Sequence, residues 1–143
     1  KGPIYKSIFE NIDLETIMAI LDEGRRLSEE VLAPINQKSD SQPAKFDGFK
    51  VECSPGFIEA YQAIKDGGWV GMSGDPNFGG MGLPITLTTC LNEMISSACL
   101  SLALNPLMTQ GQIEALENHA TLEIKSHLFE SAINLFNSIN TFS

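Results

Sequence analysis

Few side chains in this chain of 143 residues have the type and spacing that chemistry requires. His119 and His127 stand eight apart, about 80° around a helix. His119 reads as lying outside that helix and no Cys stands near either, so no metal site is expected. The glycine-rich run contains Gly67, Gly68, Gly71, Gly74, Gly79, Gly80 and Gly82, seven of the twelve glycines. It has no GxGxxG, since Gly80-Met81-Gly82 is followed three on by Ile85, and no Lys follows as in a phosphate loop. No nucleophile elbow surrounds any Ser. Glu93 is the one acid on the helix that follows the run, and it reads as a surface acid paired locally rather than as a catalytic group. Met72, Met81, Met94 and Met108 read as core fillers, although flexible Met also suits a pocket for an aliphatic chain. Cys53, Cys90 and Cys99 make no even framework. Cys90 and Cys99, nine apart on one expected helix, point about 180° apart and do not pair. Buried free thiols in a reducing compartment, the cytoplasm, is the expectation.

The elements that would position these groups are helical. Asp13 is a good N-cap, with Ile12 before it and Ile17 after it forming a hydrophobic staple. The helix it opens carries Leu14, Ile17, Leu21, Leu27, Val31 and Ile35. Gly24 weakens its middle by about 1 kcal/mol relative to Ala, and Pro34 predicts a stop near Ala33. Residues 36–53 form a polar connection in which Phe46 and Phe49 flank the Asp47-Gly48 turn pair. A short hairpin is conceivable there, but a surface loop with two aromatic anchors is expected. Ser54-Pro55 reads as cap and first helical residue of a helix presenting Phe57, Ile58, Tyr61 and Ile64, closed by Gly67. Pro3–Phe9 reads as a short turn docked by Ile4, Ile8 and Phe9.

Beyond the glycines, Pro84 opens a long apolar helix over residues 85–104, with Leu87, Leu91, Met94, Ala98 and Leu102 on one stripe. Apolar nearly all round, it predicts a central buried helix. Asn105-Pro106 marks the start of another, with Leu107, Met108, Ile113 and Leu116 as its apolar positions. Thr121 caps the last, whose stripe is Ile124, Leu128, Ala132, Leu135 and Ile139. The expectation is one all-α domain of five or six helices around 85–104. The net charge of −9 argues against a nucleic-acid surface and reads as serving solubility. The run from Met94 to Leu107 is too short and too rich in Ser to span a membrane, and no signal peptide is visible.

The order GGWVGMSGDPNFGGMGLP, then NEMISSACLSLAL, then NPLMTQGQIEALENHATLEIKSHL resembles the N-terminal helical domain of acyl-CoA dehydrogenases. Trp69, Pro76, Phe78, Gly79, Gly80, Gly82, Pro84, Glu93, His119, Lys125 and Leu128 carry the match in order. VLAPINQ and SPGFIEAYQAI look more like the large bacterial branch, which includes methylmercaptopropionyl-CoA dehydrogenase-like enzymes. The resemblance covers about residues 14–128. It departs at Ala120, where Gly is usual, and after Leu128, where residues 129–143 lack the family's Leu-Pro pair.

The resemblance implies an orthogonal helical bundle and an enzyme that removes an α-proton from an acyl-CoA while a hydride passes to FAD. In such enzymes the catalytic Glu and most FAD contacts belong to a β-domain and a C-terminal helical bundle, which these residues do not contain. No catalytic residue is therefore carried over, Glu93 is not the base, and the chain alone is expected to be inactive and to bind no FAD. What the N-terminal domain supplies is one wall of the acyl cavity, which maps onto Leu102, Ala103, Pro106 and Gln110. Leu102 and Ala103 would touch the acyl chain, at about 0.8 kcal/mol per buried CH₂, or simply pack helix on helix. Without its neighbouring domains the chain is expected to self-associate. The alternative is a stand-alone helical interaction or acyl-binding module that has lost catalysis.

Overall fold

The computed structural model describes residues 12–134. Asp13, in extended conformation, accepts the Thr16 backbone N–H on its carboxylate at 2.7 Å and so starts helix α1, Leu14–Arg26. Ile12 and Ile17, the expected staple pair, both pack against the buried group Met72, Leu87 and Leu91. The exposed side of α1 carries Arg25 and Arg26, paired with Asp22, Glu23, Glu29 and Glu30.

Helical structure does not stop near Pro34, contrary to the expectation. A π turn, Leu27–Leu32, leads directly into α2, Ala33–Ser41. The N–H of Ala33 reaches the carbonyl of Ser28, five residues back. Pro34 then falls in the first turn of α2, where a missing N–H is tolerated. The wide turn directs Leu27, Ser28 and Leu32 inward.

The polar connection contains a hairpin rather than an anchored loop. Strands β1, Lys45–Phe46, and β2, Val51–Glu52, pair antiparallel with Lys45 opposite Glu52 and Phe46 opposite Val51. Asp47 makes the turn by accepting the N–H groups of Phe49 and Lys50, each at 2.8 Å. Phe46 and Phe49 are 69% and 99% exposed, so neither anchors anything. Helix α3, Phe57–Asp66, starts after Gly56 instead of at Pro55. Gly67 closes it as expected, with Gly68 next in the left-handed region.

The helix expected over 85–104 is two helices. Helix α4, Ile85–Ala98, ends at Cys99, and α5, Leu100–His119, begins immediately after it. Cys99 is fully buried in an extended conformation; its N–H bonds to Ile95 and its carbonyl accepts the N–H of Ala103. Ile95, Cys99 and Leu102 therefore continue one buried row across the break, and apolar spacing alone reads straight through it. Pro106 is a buried residue inside α5, not the start of a helix. Helix α6, Leu122–Asn134, opens where Thr121 accepts the N–H of Ile124 at 3.3 Å, as expected. The short turn expected at Pro3–Phe9, the stripe positions Leu135 and Ile139, and most of the tail lie outside the described residues.

The chain is thus mostly helical, with one two-stranded hairpin among the described residues. Helix α4 is central, packing on α1, the π turn and α5. It is not buried all round: Leu87, Thr88, Leu91 and Ile95 face inward, while Ile85, Thr86, Thr89, Glu93 and Ser97 form an exposed stripe. Trp69 packs against both buried clusters and joins them. No described helix is long and apolar enough to cross a membrane.

Candidate functional site

The glycine-rich segment between α3 and α4 is folded by its own backbone. Leu83 N–H bonds to Met72 at 2.8 Å, Gly82 N–H to Gly74 at 2.9 Å and Met81 N–H to Gly71 at 3.0 Å. At its tip the Asp75 carboxylate caps a 3-10 turn, Pro76–Phe78, by accepting the Asn77 N–H. The Asp75 N–H donates to Glu117 of α5 at 2.8 Å, and Lys125 of α6 donates to the Glu117 carbonyl at 2.7 Å. The first bond docks the segment onto α5, the second ties α6 to α5, and the 3-10 turn packs against α6.

This docking leaves a cleft of about 530 Å³ between α4 and α5, bounded at one end by Ser73 and Leu83. Helix α4 contributes Ile85, Thr88, Thr89 and Asn92; α5 contributes Leu107, Gln110, Gly111, Ile113, Glu114, Glu117 and Asn118. Gln110 holds the two walls together. Its Oε1 accepts from Asn92 Nδ2 at 2.8 Å, and its Nε2 reaches the Trp69 carbonyl at 3.5 Å. Thr88 is 3% exposed, and its hydroxyl has no hydrogen-bond partner. An unmet buried hydroxyl costs about 1–3 kcal/mol.

Of the four residues expected on the acyl wall, only Gln110 lines this cleft. Leu102 and Ala103 are 5% and 2% exposed within the main core cluster, and Pro106 is also buried. Thr88 and Asn92 were not singled out from the sequence. The residues 86–89, TLTT, look like ordinary helix surface, and nothing in their spacing says which hydroxyl is turned inward.

The other chemistry-bearing residues are scattered. Glu93, His119 and His127 are exposed, and no group of three or more potential metal ligands gathers among the described residues. Cys99 is buried, Cys90 half-buried and Cys53 exposed, so the expectation of three buried thiols holds for one. Burial pushes the Tyr61 phenol well above its usual range, and its Oη lies 3.5 Å from Asn105 Oδ1. Two further clefts flank the domain. One, of about 670 Å³, lies between α1 and the glycine-rich segment, with Ile20, Trp69, Met72 and Met81 inside and Asp13, Glu15 and Glu23 among its lining residues. The other, of about 780 Å³, runs from α2 to the start of α5, past Asp40, Phe57, Leu100 and Leu104. No Lys or Arg lines any of the three clefts among the described residues.

Comparison with known proteins gives two findings. Residues 15–134 match the family model described as acyl-CoA dehydrogenase, N-terminal domain. The 3-methylmercaptopropionyl-CoA dehydrogenase of Ruegeria pomeroyi is 34% identical over 108 residues, which is 76% of this chain and 18% of that protein. The chain therefore spans less than a fifth of this curated relative.

Proposed function

From the premise that this chain belongs to the acyl-CoA dehydrogenase family and corresponds to its N-terminal helical domain, we propose that it forms one wall of the acyl cavity of an FAD-dependent enzyme. That enzyme dehydrogenates an acyl-CoA thioester between its α and β carbons. The observation that carries the reading is the α4–α5 cleft, which combines Leu83, Ile85, Leu107 and Ile113 with the Asn92–Gln110 amide bridge. Ser73, Thr88, Thr89 and Asn118 line it as well, and a concave site that joins apolar positions to placed polar groups can hold and orient a small ligand. Gln110 is the residue of the expected wall that lines the cleft, and Leu102, Ala103 and Pro106 act behind it by fixing how α5 packs.

The acidic lining of the three clefts is what we weigh against a flavin dinucleotide there. A diphosphate is favoured by Lys or Arg, whereas the three clefts have no cationic lining and carry Glu15, Glu23, Asp40, Glu114 and Glu117. The family resemblance assigns FAD and the catalytic base to a β-domain and a C-terminal helical bundle, and on this reading the isolated chain is inactive. Exposed Leu104, Met108, Leu122 and Leu128 offer apolar surface to those domains, or to a second copy when they are absent. Proton and hydride transfer both demand near-contact geometry, so a wall that holds the acyl chain in place contributes to rate without touching the reacting atoms.

The test is to record the flavin absorbance of the purified chain with and without added FAD, then assay acyl-CoA oxidation by the enzyme in which the chain occurs. The reading expects a colourless, inactive chain and a complete enzyme whose KM for acyl-CoA rises in Gln110→Ala. A chain that retains flavin overturns this division of labour.

A further inference from the structure

Two side-chain hydrogen bonds tie the glycine-rich segment to α5. Gln110 Nε2 reaches the Trp69 carbonyl near the start of the segment at 3.5 Å, and Glu117 Oε1 accepts the Asp75 N–H near its tip at 2.8 Å. Gln110 and Glu117 stand seven residues apart, about 10 Å along one face of the helix, and both line the cleft between α4 and α5. The bond to Glu117 is the shorter, and its acceptor is a carboxylate, which makes it the stronger kind.

What that bond controls follows from the lining of the clefts. Ser73, two residues before Asp75, and Leu83 close one end of the α4–α5 cleft. Leu83 also lines the cleft against α1, so the segment is the partition between the two. Its backbone is cross-tied from Leu83 to Met72, from Gly82 to Gly74 and from Met81 to Gly71. A shift at Asp75 is therefore carried to Ser73 and Leu83. Lys125 donates to the backbone carbonyl of Glu117 at 2.7 Å, which steadies this turn of α5 and leaves the carboxylate to Asp75.

We propose that Glu117 is a positioning residue of the acyl wall: its carboxylate fixes the glycine-rich segment against α5 and so sets the width of the α4–α5 cleft, without touching the reacting atoms. This rests on the reading that the cleft belongs to the acyl cavity. Acyl binding then depends on the Asp75–Glu117 bond, and the chemical step does not. The role needs an acceptor oxygen at this place, which a glutamine amide also supplies.

The bond can be broken from either side. Asp75 has φ −61°, which proline adopts, so Asp75→Pro removes the donor N–H. Asp75→Ala removes the carboxylate that caps the 3-10 turn and keeps the N–H. The experiment measures KM and kcat with butanoyl-CoA and octanoyl-CoA in the enzyme in which the chain occurs. Glu117→Ala and Asp75→Pro are each expected to raise KM about tenfold with kcat unchanged, and the double variant no further than the worse single one. Glu117→Gln and Asp75→Ala stay near wild type. Should Glu117→Ala not fold, Asp75→Pro against Asp75→Ala decides alone. Additive effects, a loss in kcat instead of KM, or an Asp75→Ala as damaging as Asp75→Pro overturns the role of Glu117, while the acyl wall stands if Gln110→Ala still raises KM. If KM is unchanged in Gln110→Ala, Glu117→Ala and Asp75→Pro alike, the acyl-wall reading falls and the proposal falls with it.

Discussion

Gly24 of α1 and Leu91 of α4 meet so closely that a Cβ built on Gly24 would stand 1.9 Å from Leu91 Cδ2 and 3.9 Å from Met94 Sδ. Gly24 is buried, and Leu91 is 1% exposed within the cluster that joins α1, α4 and the glycine-rich segment. The absence of a side chain is what lets the two helices approach. Gly24→Ala gains about 1 kcal/mol of helix propensity but must displace a packed Leu, a strain of about 1–3 kcal/mol. The variant is expected to be no more stable than wild type and up to about 2 kcal/mol less stable, read from urea unfolding. A clear stabilisation would mean that α1 and α4 do not touch at this point.

The same contact makes Leu91→Ala a coupled substitution. Alone, it empties part of the cluster and costs about 2–5 kcal/mol. Combined with Gly24→Ala it costs less than the sum of the two, because the new methyl enters space that Leu91 vacated. A double-mutant cycle by denaturant unfolding checks this, and strict additivity is the result that removes the contact.

How much of this was legible in the sequence depends on what each residue answers to. Asp13 and Thr121 act on backbone within three residues of themselves, so their caps were readable locally. Gly24 was not, because its role is set by Leu91, far along the chain, and sequence assigned it only a helix penalty. Pro34 and Cys99 were misread in opposite directions. Pro34 appeared to end a helix that a π turn carries into the next, and Cys99 hid a break because its side chain stays in the buried row. In the cleft, Gln110 came from family resemblance alone. Thr88 differs from Thr89 only in which way the helix faces, and that is fixed by packing on α5.

The amide bridge between the cleft walls should be measurable. Asn92 Nδ2 and Gln110 Oε1 are partly buried and 2.8 Å apart. Asn92→Ala and Gln110→Ala are each expected to destabilise by about 0.5–1.5 kcal/mol, with the double variant close to the worse single one. Full additivity would show that the two amides do not bond.

Acid should loosen the start of α1. The Thr16 backbone hydrogen bond, with a further contribution from its side chain, holds the Asp13 carboxyl below its usual range. A folded-state value below the unfolded one, about 3.9, means the stabilisation is present above that pH and is lost as pH falls through the folded value. The difference in melting temperature between wild type and Asp13→Ala is therefore expected to be constant near neutrality and to shrink towards zero in strong acid. A difference unchanged down to the lowest accessible pH would show that the cap does not titrate with the carboxylate.

Two glycines should respond to alanine with opposite signs. A Cβ on Gly80 would lie 2.1 Å from the Gly74 carbonyl oxygen and 2.2 Å from its carbon. These are backbone atoms, and the Gly74 carbonyl is already engaged by the Gly82 N–H at 2.9 Å, so neither side can yield without opening the loop. Gly111, on the exposed side of α5, has nothing within 4 Å of an added Cβ. Gly111→Ala is expected to stabilise by about 0.5–1 kcal/mol through helix propensity and a less flexible unfolded chain. Gly80→Ala is expected to destabilise by more than that and to redden the emission of Trp69, the single Trp of the chain, as the segment that follows it loosens. Urea unfolding monitored by that fluorescence reads both. A Gly80→Ala protein with wild-type stability and emission would mean that the glycine-rich segment is not closed on itself, and the floor it gives the cleft through Ser73 and Leu83 would have to be redrawn.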